Sequence, residues 1–219
     1  MNLEMKVEIV SDNFLREFPV KDNRESLVSI VGIHPRIIVR PWKKTYWGMN
    51  RYNYLVRESV AKMLVKVVKS LPQNIELEVI DGYRPAEIQR KMFYAGIKIW
   101  QKRHPQWSKD KVRVQLQKYL ANPESYTYHS TGGVVDVTLY DEKGQLEMGK
   151  DRHTYSKRIN GTAKKNRIML INAMENAGFV NYPLEWWHWC YGESLWAHVK
   201  GKKHAIYGTI PLKDLKKFL

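Results

Sequence analysis

Thr131-Gly-Gly-Val-Val-Asp-Val-Thr-Leu139 is the most informative stretch of this chain, because it joins a glycine turn to a strand that carries an acid. The β-branched, alternating run from Val134 to Leu139 predicts a strand with Asp136 at its centre. His129 lies seven residues before Asp136, and the intervening glycines exclude one continuous helix. A turn followed by a strand would let both side chains converge on one point.

Further strands and helices are predicted on both sides of this segment. Ile75–Ile80 alternates and predicts a strand that runs into the turn Asp81-Gly82. Leu184–Tyr191 is rich in aromatic residues and predicts a core strand. Residues 1–50 are expected to form loops and short strands, such as Ile37–Val39. Four helices are predicted from apolar periodicity, caps and breakers: 53–70, from Pro85 through Trp100, Ser108–Leu120, and Lys164–Ala177 with Gly178 as its C-cap.

These elements predict the α+β class, with a small mixed or antiparallel sheet flanked by helices. A length of 219 residues fits one domain, which we place over 1–219. In it, residues 1–50 form an irregular N-terminal segment that shapes part of the pocket, 51–192 carry the motifs, and 193–219 form a basic C-terminal extension. The candidate site residues lie on strands or at their ends, so adjacent strands would bring them together.

Cysteine content and hydropathy indicate the compartment. Cys190 is the only cysteine, which excludes an intramolecular disulfide, and we interpret it as a buried structural thiol. The first ten residues carry acids and do not resemble a signal peptide, and no stretch is apolar enough to span a membrane. A cytoplasmic location is therefore expected, or a periplasmic one if a leader has been removed.

The net charge of +15 favours anionic partners such as nucleic acid or a cell-wall polymer. The basic residues are spread along the whole chain, and the interpretation we favour is that they coat solvated helix faces. Nucleic acid is therefore an unlikely partner.

Two separated segments supply the groups of a catalytic metal site. His129, Asp136 and His188 offer two imidazoles and a carboxylate, which leave a fourth position open for water on zinc. Glu185, in Glu185-Trp-Trp-His188, offers a general base. The same ligands also suit non-haem iron. In a regular strand Glu185 and His188 would point to opposite faces, so both serve one metal only if the strand bends or ends there, or if Glu185 acts from outside the ligand set.

Arg84 follows a predicted strand and precedes Pro85, which favours an extended conformation at Arg84. It is a candidate cation for a developing oxyanion. The alternatives are a structural salt bridge to Asp81 or a surface charge.

At these residues the chain resembles the D-alanyl-D-alanine dipeptidases, which are related in fold to zinc D,D-carboxypeptidases and to the hedgehog signalling domain. Thr127-Tyr-His-Ser-Thr-Gly-Gly-Val-Val-Asp136 is similar to that family's Ser-x-His-x-x-Gly-x-Ala-x-Asp motif, and Glu185-Trp-Trp-His188 is identical to its second motif. Asp81-Gly-Tyr-Arg-Pro85 resembles the segment with the catalytic arginine. The resemblance covers roughly residues 50–192.

The resemblance implies a hydrolase of the D-Ala-D-Ala dipeptide that uses one Zn²⁺. Its zinc ligands would be His129, Asp136 and His188. Glu185 would take a proton from the attacking water and later protonate the leaving amine, while Arg84 would stabilise the tetrahedral intermediate.

The departures from the family concern the substrate. The candidate substrate-binding residues are Thr127, Tyr83, Asp151 and His153. His153 falls where the family carries an Asp that binds the substrate's ammonium, and Asp151 is the nearest acid. Val134 replaces an Ala near the metal, and the segment 42–47 fits the family poorly. Loss of an anionic partner would cost selectivity for an unblocked dipeptide.

Two alternatives follow from these departures. One is a zinc D,D- or L,D-carboxypeptidase that acts on longer cell-wall peptides. The other is a non-catalytic metal-binding domain whose basic surface binds an anionic polymer.

Overall fold

The structure is a computed structural model that describes residues 9–40 and 51–219. The segment 42–47, which fits the resembled family poorly, lies outside the described residues.

A mixed sheet forms the centre of the described structure. Its strand order is β2-β4-β5-β8-β7, and β6 pairs with the free end of β5. The strands are β2 (Ile37–Val39), β4 (Glu76–Asp81), β5 (Val134–Asp141), β6 (Gly144–Gln145), β7 (Val180–Asn181) and β8 (His188–Cys190). Only β2 and β4 pair in parallel, and the other pairs are antiparallel. A two-stranded antiparallel sheet, β1 (Leu27–Ser29) with β3 (Leu55–Arg57), lies beside it.

Helices flank this sheet and confirm the predicted α+β class. They are α1 (Asp12–Glu17), α2 (Glu58–Ser70), α3 (Ala86–Arg103), α4 (Lys109–Leu116), α5 (Gly161–Ala177) and α6 (Ser194–Val199), with 3₁₀ helices at Tyr128–Thr131 and Leu212–Lys217. Both α2 and α5 bury an apolar stripe in the main core, through residues such as Leu64 and Met174. Full burial of each such side chain stabilises the fold by roughly 1.5–3 kcal/mol. No helix in the described ranges is both long and apolar enough to cross a bilayer.

Strand β5 is more buried than its alternating pattern suggests. All residues from Val134 to Leu139 are buried, because β5 lies between β4 and β8 with packing on both faces. On β4 a bulge between Val79 and Asp81 shifts the register, so that Asp81 lies opposite Asp136. On the other side, His188 of β8 lies directly opposite Asp136. The sheet thus brings three polar residues of separate strands together.

Two predicted boundaries are wrong for physical reasons. The helix predicted over 53–70 begins only at Glu58, because Leu55–Arg57 pairs with β1 instead. The strand predicted over Leu184–Tyr191 is reduced to β8, since residues 182–187 form a turn. In that turn the Glu185 N–H donates to the Tyr182 carbonyl at 3.0 Å, and the His188 N–H donates to the Glu185 carbonyl at 3.1 Å.

Each of the other helix predictions agrees with the structure at one end, and α5 begins at Gly161 rather than at the predicted Lys164. Ser108 caps α4 by accepting from the Lys111 N–H at 3.2 Å, although the helix ends at Leu116 rather than Leu120. Helix α5 ends at Ala177, as predicted, and Gly178 adopts the left-handed conformation with φ 106°.

Candidate metal centre

Three predicted ligands meet at one buried point. His129 lies in the 3₁₀ helix Tyr128–Thr131, Asp136 is the third residue of β5, and His188 is the first residue of β8. Each offers one ligand atom, and these atoms all lie within 4.8 Å of one another. The two nitrogens His129 Nε2 and His188 Nδ1 lie 3.4 and 3.0 Å from the carboxylate oxygens of Asp136. This spacing suits a single cation shared by three side chains.

The turn before β5 orients His129. Gly132 ends the 3₁₀ helix with φ 72°, a conformation that favours glycine. At Gly133 an added Cβ would meet the Tyr191 carbonyl oxygen at 2.2 Å, so only glycine allows the chain to pass β8 this closely. The ring nitrogen His129 Nδ1 lies 2.9 Å from the Gly82 carbonyl, which favours the tautomer with its proton on Nδ1. His129 Nε2 is then free to bind a metal.

The centre contains buried polar atoms that the described protein leaves without hydrogen bonds. They include His129 Nε2 and His188 Nε2. A buried polar atom without a partner costs free energy, so such atoms at one point call for a ligand. Two imidazoles and a carboxylate are donors that Zn²⁺ and other divalent transition metals accept. The residues therefore fit a bound divalent cation.

The charges in the centre reinforce one another. Burial alone would raise the pKa of Asp136, but the charges and hydrogen bonds of His129 and His188 outweigh it and lower that pKa. Burial alone would lower the pKa of His188, but its hydrogen bond to Asp136 and the nearby carboxylates outweigh it and raise that pKa. Without metal, the centre thus favours an imidazolium beside a carboxylate. A metal ion would displace that proton.

Glu185 reaches the centre from the turn at 182–187. Its Oε2 lies 3.8 Å from His188 Nδ1, and its Oε1 accepts a hydrogen bond from Arg152 Nη2. The turn is held by Asn181, whose Nδ2 donates to the carbonyls of Glu185 at 3.1 Å and His188 at 3.0 Å. Because the chain turns before β8 begins, the side chains of Glu185 and His188 can approach each other. The sequence analysis did not anticipate Arg152, which stands in no motif.

Arg84 stands at the end of β4, beside the metal ligands. Its N–H donates to the His129 carbonyl at 3.1 Å, and its Nη1 donates to Asp81 Oδ2 at 2.8 Å. The salt bridge to Asp81, which was the structural alternative, is therefore present. The side chain is buried and also lines the cavity at the metal centre, so the ion pair fixes a guanidinium there.

A cavity of about 690 Å³ opens onto the centre. Of the four predicted substrate-binding residues, Thr127 and His153 line it. Tyr83 does not: it is fully buried, and its hydroxyl donates to the Ile210 carbonyl at 2.8 Å. For Tyr83 the prediction is corrected to a structural role, because its ring fills an apolar cluster with Leu27 and Leu55.

Asp151 is also absent from the described lining of the cavity. Its carboxylate accepts from the His153 N–H at 3.0 Å and from Ser156 Oγ at 2.7 Å, which closes its own loop. The prediction that Asp151 binds substrate is therefore corrected as well. Cys190 is buried and free, in agreement with a structural thiol, and burial raises its pKa.

The wall around His188 contains aromatic residues that the sequence analysis did not select. The ring centroids of Tyr128 and Tyr182 lie 5.2 and 5.5 Å from that of His188, both with edge contacts. Tyr128 stands inside the first motif, next to His129, and this position was the one signal that could have identified it. Asp12, on α1, lines the same cavity, and nothing in its sequence neighbourhood indicates this.

The sequence is similar to those of known dipeptidases. Residues 43–204 match the sequence profile of the family described as D-ala-D-ala dipeptidase. The chain is 30% identical to the D-alanyl-D-alanine dipeptidase of Synechocystis sp. over 200 residues, which are 73% of this chain and 81% of that protein. It is 34% identical to the D-alanyl-D-alanine dipeptidase of Enterococcus faecium over 155 residues, 59% of this chain and 69% of the relative. Among solved structures, it is similar to the LD-carboxypeptidase LdcB with a TM-score of 0.47 and 17% identity, covering 92% of both chains.

Proposed function

The chain belongs to the D-ala-D-ala dipeptidase family of metallopeptidases, and from this premise we propose that it hydrolyses the dipeptide D-Ala-D-Ala with one bound Zn²⁺. The observation that carries the proposal is the convergence of His129, Asp136 and His188 at the floor of a cavity that Glu185 and Arg84 also line. Three protein ligands with an adjacent carboxylate are typical of a catalytic zinc site rather than a structural one.

A zinc ion held by the three ligands would polarise the peptide carbonyl and lower the pKa of a water molecule. Glu185 is placed to accept the proton of the attacking water, since its carboxylate lies 3.8 Å from the ligand atom of His188. The same carboxylate can then deliver that proton to the leaving amine. The ion pair with Arg152 restricts the carboxylate to one orientation and adds positive charge near the reacting groups.

Arg84 supports the reaction through its fixed charge. Its guanidinium is buried and held by Asp81, so it loses little conformational freedom when the substrate binds. Negative charge that develops on the carbonyl oxygen would be stabilised by this preorganised cation.

The test is release of free D-alanine from D-Ala-D-Ala by the zinc-loaded protein and by the same protein after chelation. We expect release that depends on zinc and returns when zinc is restored. Zinc bound at one equivalent per chain without any release would overturn the dipeptidase proposal and leave only the metal site.

The size of the cavity favours a second candidate function, hydrolysis of longer or N-blocked cell-wall peptides. The cavity of about 690 Å³ is lined not only by the metal centre but also by Gln117 and residues 119–122. Its volume lies in the range that holds a drug-sized ligand. Arg152 stands in its wall, and a free ammonium beside it would meet like charge. A higher kcat/KM for N-acetyl-D-Ala-D-Ala than for the free dipeptide would support this candidate.

A further inference from the structure

One carboxylate that lines the cavity at the metal centre has no cation or imidazole as an ion-pair partner among the described residues. Four carboxylates line this cavity among the described residues, and three of them face a cation or an imidazole: Asp81 with Arg84, Asp136 with His129 and His188, and Glu185 with Arg152. The fourth is Asp12. Within residues 9–40 and 51–219, no cationic side chain lies within ion-pair distance of it.

Helix α1 holds Asp12 firmly at this wall. Leu15 of the same helix is buried in an apolar cluster with Tyr126 and Cys190, and Tyr128 and Tyr182 pack against that cluster. Ser11 caps the helix by accepting from the Phe14 N–H at 3.2 Å. Asp12 therefore belongs to a docked element, although it lies outside the residues that match the family profile, 43–204.

Two tyrosines, Tyr128 and Tyr182, line the same cavity as Asp12. The rings of Tyr128 and Tyr182 lie 5.4 Å apart, and the Tyr128 hydroxyl is buried without a hydrogen-bond partner among the described residues. Burial raises the pKa of Tyr182 to about 12, with further contributions from the charges of Glu185 and Asp12. Burial also raises the pKa of Tyr128, and Asp12 contributes there too. Asp12 lines the same cavity as both tyrosines, and Leu15 of its helix lies in the cluster against which they pack.

We propose that Asp12, Tyr128 and Tyr182 form a subsite for a primary ammonium group of the substrate, an inference that rests on the proposed peptidase function. The carboxylate of Asp12 supplies the counter-charge, and aromatic rings in the same cavity wall attract cations. The part of the cavity wall formed by Arg152 and His153 does not supply this counter-charge, because neither side chain is an anion.

A primary ammonium can come from two sources. One is the α-ammonium of the free dipeptide, which is separated from the scissile carbonyl by a single carbon. The other is the side-chain ammonium of a diamino acid that precedes D-Ala-D-Ala in a longer peptide. The two sources correspond to the two candidate functions, so the subsite bears directly on the choice between them.

The experiment measures binding rather than turnover. Zinc-loaded Glu185→Gln protein, which keeps the shape of the site, is titrated by calorimetry with D-Ala-D-Ala, N-acetyl-D-Ala-D-Ala, Nα-acetyl-L-Lys-D-Ala-D-Ala and its diacetylated form. The same titrations are made after adding Asp12→Asn. Asp110→Asn is the matched control, because Asp110, like Asp12, is an acid in the first turn of a helix with a serine N-cap, but it is exposed and outside the cavity.

We expect Asp12→Asn to raise the Kd about tenfold or more for the ligand whose ammonium reaches the subsite, as for loss of a charged hydrogen bond. The acetylated partner of that ligand and the Asp110→Asn protein should show no change. A selective loss for D-Ala-D-Ala identifies the α-ammonium, and a selective loss for the free lysyl peptide identifies the side chain.

Equal Kd values for the parent and Asp12→Asn proteins with all four ligands would overturn the subsite, as would failure of all four to bind. Failure of the proposed dipeptidase function is a separate result, since it appears as no release of D-alanine by the wild-type protein. An Asp12-dependent preference for a free amine would stand even then.

Discussion

The carboxylate of Glu185 serves as a contact for both Arg152 and His188, and this double contact gives it a sharper orientation than a surface acid has. Asn181 Nδ2 also donates a hydrogen bond to the backbone carbonyl of Glu185. A general base needs such a position more than it needs a perturbed environment, because proton transfer requires hydrogen-bond reach to the attacking water.

Replacement of Glu185 by alanine is therefore expected to remove hydrolysis while the metal is retained. The loss in kcat should be about 100- to 10,000-fold, the usual contribution of a general base. Zinc stoichiometry, measured by atomic absorption, should stay at one per chain, because the three ligands are unchanged. Glu142→Ala, at an exposed turn residue, is the control. Full activity in Glu185→Ala would remove the residue from the mechanism.

Tyr83 lies in the same segment as Arg84, and its replacement tests whether it shares a role in the reaction. Tyr83→Phe keeps the buried ring and loses the hydrogen bond to the Ile210 carbonyl. We expect a cost of about 1 kcal/mol in the free energy of unfolding, which lowers Tm by roughly 2–4 °C in a chain of this size. The kcat/KM for D-Ala-D-Ala should stay within about twofold. An unchanged Tm with a large fall in kcat/KM would return Tyr83 to the substrate site.

At the scale of elements, the turn at 182–187 is what makes the second motif work. A strand through Glu185 would have directed it away from His188. Asn181 prevents this by donating to the carbonyls of both Glu185 and His188, while its own carbonyl accepts from Thr154 Oγ1 at 2.5 Å. The turn is thus stabilised by one buried amide.

Asn181→Ala should accordingly weaken both folding and catalysis. Loss of a buried amide that makes three hydrogen bonds is expected to cost about 1–3 kcal/mol in the free energy of unfolding. kcat should fall further than the folded fraction explains, because Glu185 is no longer held. The control is Asn166→Ala, which loses one exposed hydrogen bond to the Glu147 carbonyl and should cost under about 1 kcal/mol. Denaturant unfolding and kcat, measured on both variants, decide the point; a fall in stability alone would make Asn181 purely structural.

Only some of the helix and strand boundaries could be predicted from the sequence. Local signals sufficed for the start of α4 at Ser108 and the end of α5 at Gly178, since caps act within a few residues. The strand at Leu55–Arg57 could not be predicted, because its pairing partner lies at Leu27–Ser29 and the local pattern is helical. Long-range pairing overrides local periodicity in such a segment.

In the site, too, the residues in local motifs could be predicted, whereas those placed by long-range packing could not. His129, Asp136 and His188 could be selected because their motifs and the neighbouring strands β5 and β8 bring them together. Arg152 and Asp12 could not, because each comes from a segment without a recognisable pattern and enters the cavity only through tertiary packing. Tyr83 and Asp151 were selected from the motif segment and from the neighbourhood of His153, and neither is among the residues that line the cavity.

At the scale of the whole molecule, the metal centre links stability to pH. In the metal-free protein the pKa of His188 is raised above its ordinary value of 6.5, because its contacts with Asp136 outweigh burial. A group whose pKa is higher in the folded state contributes its stability fully below the unfolded pKa. That contribution is lost as pH rises through the folded pKa. The metal-free protein should therefore become less stable from about pH 6.5 upward.

Zinc should reverse this trend, because protons compete with the metal for His188 and the affinity of the site rises with pH. We expect the Tm of the chelated protein to fall between pH 6 and pH 8, while the increase in Tm caused by zinc grows over the same interval. Thermal unfolding followed by circular dichroism, with chelator or with excess zinc, measures both. His188→Gln should remove both slopes, whereas His153→Gln, at an exposed histidine, should retain them. A chelated protein whose Tm is flat or rises over this window would show that His188 holds no proton beside Asp136, and the charge pairing described for the metal-free protein would be wrong.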